Sequence, residues 1–150
     1  MITYAEQMAL LAQKIREEVV RSAGKGLNAA RIFLTSRIKE VVSVPAPRKR
    51  VTPPGGGIPY YRATTPATVG APPRKLSGRL RGSVTSEMKD ELTAVVGCNA
   101  RSDRGFNYPE FLEKVTPGSV RSGEHPFIKP TIHKHEQDLL TIVGDNLELC

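Results

Sequence analysis

Eight of the chain's twelve prolines, together with the triplet Gly55, Gly56 and Gly57, fall between residues 44 and 73. Proline fixes φ and removes a backbone donor, so a stretch this rich in it supports neither a continuous helix nor a central strand. No apolar periodicity of either kind runs through it, and such a composition buries too little surface to offset the entropy of ordering it. We therefore expect an extended arm or long loop at about 44–73, appended to one domain that spans 1–150, the organisation that 150 residues allow.

The same region carries the charge. From residue 41 to residue 86 there is no Asp or Glu, yet there are eight basic residues: Arg48, Lys49, Arg50, Arg62, Arg74, Lys75, Arg79 and Arg81. Elsewhere 14 Lys and Arg stand against 15 Asp and Glu, so this segment accounts for the whole net charge of +7. Charge of one sign gathered in one place raises the local potential, and it points to a polyanion or to an acidic partner surface. Against a polyanion, Arg and Lys would neutralise phosphates in a sequence-independent, salt-sensitive way. Against a protein, they would pair with carboxylates. Tyr60 and Tyr61 supply rigid aromatic area for either contact.

On the amino-terminal side, Ala5, Met8, Ala12, Ile15 and Val19 recur at spacings of three and four, which predicts an amphipathic helix from Thr3 to about Arg21. Thr3 and Glu6 have the spacing of a capping box. Gly24 and Gly26 interrupt the pattern, and a second stretch from Asn28, read as an N-cap, carries Ile32, Leu34 or Thr35, Ile38 and Val42. Two helices, or one bent helix, thus open the fold. Beyond the arm, Leu80 to Met88 and Leu92 to Cys98 read as two strands joined at Lys89-Asp90-Glu91. Residues 106–115 suggest a further strand or a short helix and strand. A final helix starts at Pro130, with a break near Gly144. The fold class expected is α+β: amino-terminal helices, a Pro/Gly-rich arm, a small antiparallel sheet and a carboxy-terminal helix packed on it.

Several function classes lack their residues. No apolar run approaches the roughly 20 residues that cross a bilayer, and the amino terminus has no basic region followed by an apolar block and a cleavage site, so we expect synthesis and retention in the cytoplasm. Cys98 and Cys150 make no disulfide framework. They are two free thiols in a reducing compartment, or Cys150 pairs with a neighbouring subunit in an oxidising one. His133 and His135, two apart on a helix, would point to different sides and make a poor metal pair, with His125 nearby in sequence. Glu110 and Glu113 lack the third group a working acid and base pair needs. No nucleophile elbow, zinc-protease helix or P-loop is present. We expect no enzyme, no metal and no cofactor.

Three segments in order carry a family resemblance. Leu76-Ser77-Gly78-Arg79-Leu80-Arg81-Gly82-Ser83 is followed by Tyr108, Phe111 and Glu113, and then by His125-Pro126-Phe127-Ile128-Lys129-Pro130. Across about residues 76–140 the chain resembles the tail-completion or head-tail joining (neck) family of long-tailed bacteriophages. Ser77 stands where that family usually has Thr, Lys114-Val115-Thr116 replaces an expected Gly-Thr, and the 44–73 arm is longer than the family's. In physical terms, Ser77-Gly78 makes a tight turn that launches Leu80 and Val84 toward a core. Strand alternation then puts Arg79 and Arg81 on the opposite side. Phe127, between Pro126 and Pro130, is an apolar plug that fixes the last helix.

The resemblance implies a structural virion protein, assembled in the host cytoplasm. It would form a homo-oligomeric ring, a hexamer first and a dodecamer as the alternative, in the neck or at the top of the tail. Its implied partners are head-closure or connector proteins, tail-terminator or tail-tube proteins, and double-stranded DNA passing without sequence preference, with no membrane. The basic residues with Tyr60 and Tyr61 would contact a subunit or the DNA channel. The alternative is a free-standing nucleic-acid-binding protein that uses the basic 48–81 segment.

Overall fold

The computed structural model describes residues 3–45, 48–63, 78–101, 105 and 126–147, with Arg62 and Ala63 described by backbone alone. The expected segment at 106–115, with Glu110 and Glu113, lies outside the described residues, as do His125, Cys150, Arg74, Lys75 and Ser77. The fold is α+β, and the described residues form four helices and two small antiparallel sheets. Helix α1 spans Tyr4–Val41, strands β1 and β2 span Arg48–Val51 and Tyr60–Ala63, and α2 spans Arg79–Gly82. Strands β3 and β4, Val84–Asp90 and Thr93–Cys98, are followed by α3, Ile128–Lys134, and α4, Glu136–Asp145. Among the described residues no helix is long and apolar enough to cross a membrane.

The capping box is present. Glu6 N–H donates to Thr3 Oγ1 at 3.3 Å, and Thr3 N–H donates to Glu6 Oε2 at 2.6 Å. The Thr3 N–H bond, and then a second donated by Thr3 Oγ1 to Glu6 Oε2 at 2.8 Å, hold the Glu6 carboxyl below the usual carboxylate range.

The amino-terminal region is one helix of 38 residues, about 57 Å long at 1.5 Å per residue. Gly24 and Gly26 do not interrupt it, and Asn28 lies inside it, where its Oδ1 accepts from Arg31 Nε at 2.8 Å. The two glycines serve close approach. A Cβ on Gly26 would stand 2.8 Å from the Val143 carbonyl oxygen of α4, and one on Gly24 would stand 2.8 Å from the Glu91 carbonyl oxygen at the β3–β4 turn. Ser22, Gly26 and Ala30, all buried and four residues apart, form the seam that admits these neighbours.

One turn further along the same face, Leu34, Ile38 and Val42 pack with Val84 and Phe127 as the buried core, flanked by Val41, Leu80, Val96, Cys98, Ile128 and Leu139. Phe127 and Ile38 are fully buried, so the expected aromatic plug is in place. The carboxy-terminal helices lie against α1 beside the β3–β4 sheet. Pro130 occupies the first turn of α3, where backbone donors have no intrahelical partner. The break in the terminal helix falls at His135, nine residues before the expected Gly144, which lies within α4.

Arg31 fastens the sheet to α1: its Nη1 donates to the Ser86 carbonyl at 3.2 Å and to Ser86 Oγ at 2.9 Å. The strands pair from Val84↔Cys98 to Asp90↔Thr93 with an irregularity between Met88 and Asp90.

The first half of α1 is a different matter. Met8, Ile15 and Val19 do share a helix face as expected, but that face is open: they are 48%, 56% and 37% exposed. Nothing in the periodicity of a sequence states whether a face is covered.

Three outcomes test this packing. Phe127→Ala should lower unfolding free energy by ~3–5 kcal/mol, measured by urea denaturation. Gly26→Ala should destabilise in spite of alanine's better helix propensity, because its methyl meets the backbone of Val143. Gly144→Ala, with open space around it, should stabilise by about 0.5–1 kcal/mol.

Candidate functional site

Part of the proline-rich arm is ordered as a β-hairpin, a departure from the expectation of a stretch without regular structure. Val51, Tyr60 and Tyr61 are strand-favouring residues, and the prolines fall just outside the two paired segments. The pairing is antiparallel: Arg48↔Ala63, Lys49↔Arg62, Arg50↔Tyr61 and Val51↔Tyr60. The connection turns at Pro53-Pro54-Gly55-Gly56, where Gly56 N–H donates to the Pro53 carbonyl at 3.3 Å and Gly55 adopts φ +99°. Proline followed by a positive-φ glycine is the chemistry of a type II turn.

Arg48, Lys49 and Arg50 are exposed, and Tyr60 and Tyr61 are 49% and 69% exposed. Among the described residues no carboxylate pairs with these three cations; the ion pairs there are Arg21–Glu18, Arg37–Glu40 and His135–Asp138, all within helical segments or their junction. Lys49 and Arg62 are partners in the backbone register of the ladder. The charge of the arm therefore does not serve its own folding. Its exposed cations and tyrosines form a two-stranded ribbon suited to an anionic surface, whether phosphate or carboxylate.

Arg79 and Arg81 are placed differently from the expectation. Residues 79–82 form one helical turn, α2, and the strand begins only at Val84, so strand alternation does not govern them. Gly78, at φ +81° and ψ −5°, makes the left-handed entry that a side chain would strain. Both arginines are exposed, while Leu80 between them turns toward the core. Ser83 closes this turn: its Oγ donates to the Leu80 carbonyl at 2.8 Å and lies 2.9 Å from Cys98 Sγ on β4. The arm and α2 are thus separate basic elements.

His135, half-buried at the α3–α4 junction, shares a hydrogen bond of 2.8 Å with Asp138 and meets the Phe33 ring edge-on at 5.5 Å. Arg37 lies over the same Phe33 ring at 4.9 Å. His133 is exposed. Among the described residues no group of three or more His, Cys, Asp or Glu is placed to hold a metal ion.

An open cleft of about 690 Å³ lies where α1 meets the β3–β4 turn, with Arg16, Glu17, Arg21, Met88, Asp90 and Glu91 among its lining. Sequence reasoning gave no hint of it, because it depends on Gly24 admitting the turn. Asp90 accepts from Leu92 N–H at 2.9 Å, and this bond, then one to Thr93, holds its carboxyl below the usual range. Near neutral pH it is an ionised acceptor with no proton to give.

Comparison of the chain with protein-family models, with curated proteins and with solved structures finds no match.

Replacing Arg48, Lys49 and Arg50 together by Gln should leave the thermal midpoint unchanged or slightly raised, because exposed cations without partners contribute at most about 0.5 kcal/mol each. Thermal denaturation by circular dichroism reads this, and a clear loss of stability would show the arm to be part of the core.

Proposed function

We propose that the protein is a structural part of a bacteriophage virion: a subunit that forms a ring in the neck or at the top of the tail, joins head to tail and leaves a channel for DNA. The observation that carries this reading is the convergence of its first and third resemblance segments. Leu80 with the adjoining Val84 from the first, and Phe127 with Ile128 from the third, meet in one core although more than forty residues separate them in the chain. Two segments that resemble one family in sequence order thus also form one packing unit.

The arm fits the same role. Among its described residues it contributes none to the buried core and presents exposed cations and tyrosines, as a segment does that reaches a neighbouring subunit, an adjacent ring or passing DNA. Its partners in this proposal are further copies of the chain, head-closure or connector proteins, tail-terminator or tail-tube proteins, and double-stranded DNA held without sequence preference. The protein performs no catalysis.

A second reading rests on the shape of the arm. A two-stranded ribbon with basic residues is also an element that enters a DNA major groove, as in a free-standing nucleic-acid-binding protein. The readings differ in specificity. A channel subunit should bind duplex DNA weakly, with affinity that falls steeply as salt rises and no preferred site. A reader should hold a defined site at physiological salt.

Deleting residues 46–72 should leave a cooperatively folding subunit, since the core lies elsewhere, while the yield of complete particles in a complementation assay falls sharply. An assembly-neutral deletion would remove the arm from the mechanism. Site-specific DNA binding by the isolated subunit would replace the ring reading with the second one.

A further inference from the structure

The open face of α1 runs along its first five turns. Tyr4, Met8, Leu11, Ile15 and Val19 are 78%, 48%, 51%, 56% and 37% exposed. At 100° per residue they fall within one stripe, continued by Ser22, Gly26, Ala30, Leu34 and Ile38, which the chain's own α4 and sheet bury. The same seam is thus bare up to residue 19 and covered from residue 22 onward.

A helical segment of 18 residues is marginal in water on its own propensity, and the capping box at Thr3 and Glu6 fixes where this one starts. The five side chains expose on the order of 500 Å² of contiguous apolar surface, at the upper end for a monomer. Two such stripes laid together bury on the order of 1,000 Å², the lower bound of a specific interface.

We propose that this half of α1 pairs two copies of the chain in antiparallel fashion, centred near Leu11. Charge selects the occupant. The protein carries +7 overall, so two copies repel, but residues 3–21 hold Glu6, Glu17 and Glu18 against Lys14, Arg16 and Arg21 and are neutral. The bare stripe is therefore a surface on which a second basic copy meets no net charge.

Charge also selects the orientation. The basic arm leaves from the far end of α1, about 45 Å along the axis from Leu11. A parallel pair would bring two arms to one end, whereas an antiparallel pair puts them at opposite ends, far beyond the screening length of about 8 Å. About the Leu11 centre the stripe then maps on itself, with Tyr4 opposite Val19 and Met8 opposite Ile15 of the second copy. This inference does not depend on the ring reading: a two-fold pair closes on itself, so a head-to-tail ring uses another surface or displaces the pair.

Sedimentation equilibrium of the full chain from low to high micromolar concentration tests it. The expected mass is twice the monomer's 16.4 kDa, and Leu11→Glu and Ile15→Glu, both at exposed positions, should each give a monomer of unchanged helix content by circular dichroism. In a background of Cys98→Ser and Cys150→Ser, mixing Tyr4→Cys with Val19→Cys should yield the mixed crosslink on mild oxidation, with neither variant crosslinking to itself. A monomer at all concentrations, variants that keep the dimer, an assembly larger than two through this stripe, or self-crosslinks at residue 4 would each overturn the proposal.

Discussion

The packing of Val84 and Phe127 against Leu34, Ile38 and Val42 is the contact on which the rest of the structure depends. It ties the start of the sheet and the entry to the carboxy-terminal helices to a single stretch of α1. Around it, each neighbour is brought in by a specific device. Gly26 admits α4, Gly24 admits the hairpin turn, Arg31 bonds to Ser86 on β3, and Phe33 receives His135 at the α3–α4 junction. All of these residues lie between 24 and 42, so the lower half of one helix organises the described core.

That concentration leaves two parts of the chain outside the core, and they are the parts suited to contact. The upper half of α1 is apolar, neutral and bare; the β1–β2 ribbon is polar, basic and bare. The two surfaces differ in chemistry enough to take different neighbours. The hydrophobic stripe favours close helix packing, and the ribbon favours a charged surface that long side chains can reach across water.

Local signals proved legible in the sequence. The Thr3–Glu6 box needs only four residues of context and forms as read. Phe127, between two prolines, reads correctly as buried, and the β3–β4 hairpin reads correctly from its β-branched residues. Gly24 and Gly26 were legible as glycines but not for their purpose. A helix break and a close helix contact use the same residue, and only the position of α4 distinguishes them. The turn at Arg79–Gly82 is too short to show any period, so strand alternation was carried back over it. In the arm, proline content outweighed two four-residue strands whose prolines lie outside the paired positions. The bare upper half of α1 was the least legible part, because amphipathicity identifies a face and says nothing of what covers it.

The central claim is that this fold is an assembly part seated where a phage head meets its tail. Electron microscopy of particles assembled with the protein carrying a compact carboxy-terminal tag tests it most directly. The account predicts tag density around the head-tail junction, arranged as a ring about an open channel. Particles without the protein, or tag density at the tail tip or on the capsid surface, would contradict it.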